Sequence, residues 1–523
     1  MRSADLAAAA SAAAQRPEDW LLSDEERGNP AAGLRPWTHG NHVRPIIHGR
    51  PYFAELLQAI EKLGAGDRLL FTDWRGDPDE RLDGPGTEIS RVLGAAAARG
   101  VDVRGLIWRS HLDKLHFSGA ENRHLGHEIE AAGGRCLLDM RVRPGGSHHQ
   151  KLVVLRYRNR PDLDIAYVGG IDLCHSRADG ARHEGDPQAV PMASAYGSRP
   201  PWHDVQVALL GPVVAEVEEV FRQRWADSSP PARNPLSRLH DLVTGDGTQP
   251  GPPPAPLPPP QPCGPHTVQL LRTYPARRPA YPFAPQGERS VARGYQKALR
   301  RARDLIYTED QYLWSRAVAA SFAQALAERP ELRLIVIVPA VPDMPGLAGL
   351  SQDVGRAQAI AELRRAGGDR VAVYSLENHA GTPVYVHAKV CVIDDVWTTV
   401  GSDNFNLRSW THDSELSCAI LDKTGAYARD LRLQLCREHL DRAEGDDADL
   451  VDGRSTFDAF ARSAAALDAW HAGGRRGPRP PGRLRTYHLP PIPRLRRPLA
   501  ELLYRWISDP DGRPRQLRHR NEF

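Results

Sequence analysis

A chain of 523 residues is too long for one compact core, so two domains are expected. With 41% hydrophobic and 25% charged residues it has the make-up of an ordinary globular protein, which excludes a fibrous or wholly disordered chain. A net charge of +3 is no footprint for nucleic acid, no run is apolar enough to span a bilayer, and six scattered cysteines without a Cys-x-x-Cys pair point to buried thiols in a reducing compartment.

The first 35 residues, with their alanine run, read as a flexible leader. From Tyr52 to Trp74 the pattern is an amphipathic helix followed by a strand, and "ISRVLGAAAARGVDVRGLIW" repeats helix and strand. "HHQKLVVLRYRN" (148–159) then opens an apolar strand, and "VGGIDLC" (168–174) makes a small-residue turn. A polar stretch at 176–200 reads as a substrate-facing loop before "PWHDVQVALLG". The proline-rich segment 245–265 reads as an extended, semi-rigid linker.

Beyond it the same order returns. "VARGYQKALRRARDLIYTEDQYLW" and "VAASFAQALAERPELRLIVIV" each give helix and strand. "VHAKVCVIDD" then opens a strand, and "VGSDNFNLRS" (400–409) makes the second turn. Alternating helices and strands predict α/β sheets flanked by helices, and the repetition predicts two similar halves related by a pseudo-two-fold axis. The expected domains are 1–35 leader, 36–230 first α/β domain, 231–265 linker, 266–445 second α/β domain and 446–523 extension. The Arg- and Pro-rich tail from Arg475 reads as a solvated, loosely packed surface, with "LAELLYRWI" a short helix closing against a domain.

Residues two apart on a strand share a face, so His149 pairs with Lys151 and His387 with Lys389. Copy by copy, an acid follows each turn: Asp204 in the first half and Glu415 in the second. A carboxylate on one ring nitrogen fixes the tautomer and frees the other nitrogen for attack or proton transfer. Two histidines and two lysines suit a phosphodiester: one imidazole attacks phosphorus, the other protonates the leaving alcohol, and the lysines neutralise the oxygens. Asn404 and the equivalent Asp172, with Gly170 and Ser402 in the turns, are the candidate phosphate contacts; Asp172 serves only if protonated or satisfied by a neighbour. No cofactor is called for and no metal-ligand cluster is evident. Trp74, Trp202 and Trp314 are assigned to core or rim, and His148, His203 and His412 read as bystanders.

This pattern resembles the phospholipase D superfamily, whose signature is His-x-Lys-x4-Asp followed by Gly-Gly or Gly-Ser-x-Asn. The second copy, "HAKVCVID" with "GSDN", matches in full; the first, "HQKLVVLR" with "GGID", departs at the acid. The resemblance covers most of residues 40–445. It implies two α/β/α sandwiches meeting at one shared active site, a covalent histidine intermediate and no metal. It casts His149 as nucleophile and His387 as general acid, with the reverse left open by the near-symmetry. It implies hydrolysis of a phospholipid to phosphatidic acid and an alcohol, by a cytoplasmic, monomeric protein touching the membrane peripherally and needing no nucleic acid. A nuclease or an impaired lipid-binding protein on the same plan are the alternatives.

The signature acid, Asp394, falls seven residues after His387, an odd offset that turns it away from the His-Lys face and towards a tight turn. Arg156 takes that place in the first copy, where the hairpin is longer; Asp162 or Asp164 is expected to serve the moved turn. Arg156→Asp is therefore expected to leave turnover nearly unchanged, and Asp204→Ala to impair it strongly.

Overall fold

The structure, a computed structural model, describes residues 16–110, 119–227, 229, 251–344, 346–520 and 522–523. Residues 1–15 of the expected leader and 230–250 around the start of the expected linker lie outside the described residues.

The first half holds strands β1 (Thr38–Ile47), β2 (Arg68–Asp73), β3 (Asp102–Trp108), β4 (Arg135–Asp139), β5 (Leu152–Arg156), β6 (Ile165–Gly169), β7 (Trp202–His203) and β8 (Val205–Leu210). The second holds β9 (His266–Tyr274), β10 (Glu288–Arg289), β11 (Leu305–Asp310), β12 (Arg333–Ile337), β13 (Val371–Glu377), β14 (Pro383–Val386), β15 (Lys389–Ile393), β16 (Trp397–Gly401) and β17 (Glu415–Asp422); β18 (Leu484–Thr486) comes from the tail. The first sheet runs β1-β8-β6-β5-β2-β3-β4. The second runs β9-β17-β16-β15-β11-β12-β13. The orders match strand for strand, and β1 also pairs with β9, so the sheets are continuous.

Within each of the two seven-stranded runs, among the described residues, the parallel neighbours are β2-β3-β4 and β11-β12-β13, and parallel neighbours need long crossovers. Helices Ile89–Ala98 and Gly119–Ala131 make them in the first half, Arg316–Glu328 and Gly346–Gly367 in the second. The central strands are apolar and buried on both faces, as in "LVVLR" and "KVCVI". One core cluster takes Val154, Val168 and Val207 from the first sheet together with Val390, Val400 and Ile420 from the second. The remaining faces pack under their own helices, Tyr52, Leu56 and Ile60 on one side and Val318, Phe322 and Leu326 on the other.

Three segments differ from expectation. Residues 16–35 are not a loose leader: Trp20, Leu21 and Leu22 are buried in the second half's core, and Arg27 is ion-paired with Glu288 at 2.9 Å. The described part of the proline-rich segment does not hang free. Its carbonyls at Pro252, Pro254 and Pro258 accept from Arg104, Arg222 and Arg156, which lays it along the first half. The tail is not loosely packed, since β18 extends the second sheet beside β13 and Arg485 pairs with both Glu377 and Asp468. Helix Arg497–Leu503 does dock, through Ala500 and the adjoining Tyr504, yet it leaves Leu499 and Leu502 outward.

Candidate active site

Two short parallel pairings build the site. β7 lies beside β14, Trp202 against Tyr385 and His203 against Val386, and His148 bridges Ser414 in the same sense. Each brings the residue preceding the acid of one half against the residue preceding the motif histidine of the other. The acids therefore cross over. His149 Nδ1–H donates to Glu415 Oε2 at 2.8 Å, and His387 Nδ1–H donates to Asp204 Oδ2 at 2.7 Å. The copy-by-copy comparison of acid with histidine is corrected here: each imidazole is held by the other half's carboxylate. Nε2 of each ring is left for chemistry.

Glycine and serine in the turns serve these carboxylates. A Cβ on Gly170 would collide with Asp204 Oδ1, so only glycine lets that acid approach. Ser402, at the same place in the second half, donates its hydroxyl to Glu415 Oε2 at 2.6 Å. The sequence expectation named both as phosphate contacts; the contacts seen here are with the acids. Asp172 also has neighbours of its own: it accepts from Trp74 N–H at 2.9 Å and lies 3.5 Å from Lys151 Nζ. Asn404, its counterpart, has a buried Oδ1 with no hydrogen-bond partner. Lys151 donates to His149 O at 2.9 Å and Lys389 to His387 O, and Lys389 also reaches Gln311 Oε1 at 3.2 Å.

Electrostatics separate the two pairs. Burial, reinforced by Lys151 and Lys389, holds His149 well below the usual imidazole range. Burial and Lys389 do the same to His387 against the pull of Asp204. Burial would raise Asp204, but His387, Lys389 and Arg177 outweigh it and hold the carboxyl below its ordinary value. Glu415 goes the other way: burial, with Asp413 beside it, pushes it up to about 8. Burial draws Lys389 down to about 8, with Lys151 adding to the effect and Asp204 opposing it. The mutual influence of Lys151, Lys389 and His149 reflects one shared site.

Asp394 turns away from this centre, as its odd offset predicts. Its carboxylate accepts from the backbone N–H groups of Arg303, Asp304 and Leu305, tying the hairpin to the start of β11. Arg156 is buried instead, ion-paired with Asp164 at 2.8 Å and with Glu218. Asp164 also accepts from Tyr157 N–H at 2.7 Å and so serves the moved turn. Arg156→Asp would place a third carboxylate beside Asp164 and Glu218, a cost in stability that the expectation about turnover did not include.

A family model described as "Phospholipase D" matches residues 136–243, and one described as "Cardiolipin synthase, PLD-like domain" matches 295–434. Each match contains one His-Lys pair and one of the crossed acids. Both halves of the chain thus match models of the phospholipase D superfamily. It is 26% identical to phospholipase D1 of Saccharomyces cerevisiae over 84% of this chain and 31% of that protein. It is 24% identical to phospholipase D alpha 1 of Arabidopsis thaliana over 65% of this chain and 56% of that protein. The chain thus spans between about a third and about half of these curated relatives. Among solved structures, the phosphatidylserine synthase of Haemophilus influenzae superposes with a TM-score of 0.53 at 13% identity, covering 86% of this chain and 99% of that one. That likeness is one of fold.

Around the phospholipase D motifs lie residues to which the sequence alone gave no part in the site. Trp74 stands edge-on to His149 with ring centroids 6.4 Å apart, and Trp202 lies against His387 at 5.0 Å. Arg177, from the polar insertion, sits over the Trp202 ring at 4.0 Å. His203 is no bystander: its Nε2–H donates to Glu309 Oε2 at 2.6 Å. The alternation Tyr307, Glu309, Gln311 was the available signal for Gln311; nothing in the local sequence announces Arg177.

Proposed function

We propose that the protein is a phosphodiesterase of the phospholipase D type, converting a phospholipid to phosphatidic acid and the headgroup alcohol through a phosphohistidine. The observation that carries this reading is the pair of crossed imidazole–carboxylate contacts beside two lysines. His149 is the nucleophile: its side chain is 16% exposed against 6% for His387. Its Nε2 attacks phosphorus as the bond to the headgroup oxygen breaks, and His387 supplies the proton to that oxygen. An anionic diester held by Lys151 and Lys389 favours the protonated form of His387, whose Nδ1–H Asp204 receives. Water, surrendering a proton to His387, then attacks phosphorus and releases His149. An alcohol in place of water gives transfer, and the cardiolipin synthase-like match of the second half supports that side reaction.

A lipid substrate is supported by the surface beside the site. Leu495 is 97% exposed and Trp506 76%, with Leu502 and Ile507 also outward. Arg494, Arg496, Arg497 and Arg505 interleave them. The same segment is anchored at the site's rim, where Asp509 accepts from Leu407 N–H at 2.5 Å and Gly512 N–H donates to Thr411 Oγ1. Arginine around exposed aromatic and aliphatic side chains is the make-up of an interfacial anchor. The protein assayed on phosphatidylcholine vesicles, with and without anionic lipid, and on single- and double-stranded DNA tests the proposal. Release of headgroup from vesicles, lost in both His149→Ala and His387→Ala, is the expected result. Lipid turnover surviving both substitutions, or cleavage of DNA alone, would sink it.

A further inference from the structure

Behind the site lies a second cluster that the proposed chemistry does not use. His48, at the end of β1, His183, from the polar insertion, and His203, on β7, converge on Glu438 of helix Tyr427–Leu440. All three histidines are buried. Their ligand atoms and the carboxylate oxygen lie within 4.8 Å of one another. We propose that these four side chains bind one zinc ion, as a structural site closed to substrate.

Three observations carry this. The first is tautomeric. His183 Nδ1–H donates to Trp202 O at 3.0 Å, leaving a lone pair on Nε2, which faces Glu438 Oε1 at 3.0 Å. His203 Nε2–H donates to Glu309 Oε2, and its Nδ1 lies 3.4 Å from the same Oε1. Two ring nitrogens thus converge on one carboxylate inside the protein, where a proton or a cation must sit between them. The second is shape. Glu438 meets the rings with both oxygens: Oε2 lies 2.8 Å from His48 Nε2, while Oε1 lies 3.0 Å from His183 Nε2 and 3.4 Å from His203 Nδ1. A tetrahedron of metal–ligand bonds of roughly 2.0–2.1 Å has an edge of about 3.3 Å. The three rings stand at 66–89° to one another with centroids 5.0, 5.1 and 5.6 Å apart, as three imidazoles around one ion do. The third is the surrounding support. A histidine ligand commonly gives its other N–H to a carbonyl or carboxylate, and Trp202 O and Glu309 are those partners here.

A further sign is backbone cost. His48 and His183 hold left-handed conformations, φ 74° and 53°, which non-glycine residues adopt only where surrounding contacts impose them. Three imidazoles with one carboxylate suit zinc, and four protein ligands leave no open position for substrate or activated water. The ion would join the insertion, the β1 end, β7 and the second half's helix at one point, one residue from Asp204.

The test uses the full-length protein purified without chelator. Mass spectrometry of its metals is expected to find about one zinc per chain. Chelation should lower the thermal midpoint and zinc should restore it. Cobalt in the emptied protein should give the strong visible bands of a tetrahedral site. His183→Gln and Glu438→Gln should reduce zinc content to about a tenth or less, and Glu309→Gln should weaken affinity by about 10–100-fold. A folded wild-type protein without metal, unmoved by zinc and giving no cobalt bands, would overturn the proposal whether or not the variants fold. So would full zinc content in folded His183→Gln and Glu438→Gln.

Discussion

The two imidazole–carboxylate pairs are alike in geometry and unlike in charge. Hydrogen bonds of 2.8 Å at His149 and 2.7 Å at His387 come from equivalent places in the two halves. Yet Asp204 is drawn below the ordinary carboxylate range while Glu415 is pushed up to about 8. The cause lies in the neighbours: Asp204 faces His387, Lys389 and Arg177, whereas Glu415 is buried beside Asp413. A repeated motif fixes where groups stand, and the unrepeated residues around it decide what charge each carries.

The sharpest way to break the comparison is to remove the imidazoles. His149→Asn should lower turnover by about 10⁴-fold or more, and His387→Asn should lower it comparably. With the reaction quenched in alkali, mass spectrometry of His387→Asn should find a phosphatidyl group on His149; finding it on His387 in His149→Asn would exchange their roles. The acids come next and should not be equal. Asp204→Asn removes a charge that holds an imidazolium and should cost about 10²–10⁴-fold in kcat, whereas Glu415→Gln, replacing a largely protonated group at pH 7, should cost about tenfold. Equal losses in kcat measured at pH 7 would erase the distinction.

The hairpins give a third contrast, read in stability. Arg156→Asp breaks a buried charge network and should destabilise by about 3–5 kcal/mol in denaturant unfolding. Asp394→Ala, which frees three backbone N–H groups, should cost about 1–3 kcal/mol. The smallest effect is a pH dependence. Because Glu415 rises from 4.5 to about 8 on folding, the native state holds its proton more tightly than the unfolded one. Its contribution is therefore fully present below pH 4.5 and is lost as pH rises towards 8. The thermal midpoint of the wild type relative to Glu415→Gln should fall across that window; a difference independent of pH would contradict the assignment.

Much of this was legible in the chain. The duplicated His-x-Lys spacing, the turns and the strand-helix alternation determined the architecture, because those signals are local and repeat. The crossing of Asp204 and Glu415 was not legible, since it depends on β7 meeting β14 and on His148 meeting Ser414 across the two halves. The contacts of Gly170 and Ser402 with the acids were not legible for a related reason: a small residue in a turn says that something approaches closely, not what. The histidine cluster was invisible because His48 and Glu438 are 390 positions apart. Arg156 looked like damage to a motif because its partners, Glu218 and the Pro258 carbonyl, lie in other elements.

The exchange of carboxylates has a consequence for how such a chain arose and how it can be cut. Neither half owns a complete imidazole–carboxylate pair, so each half depends on the other for the carboxylate that orients its histidine. Two identical halves related by a two-fold axis would complete each other through the same two contacts. The molecule therefore has the layout of a homodimer whose subunits were joined end to end, after which each copy was free to acquire its own electrostatics.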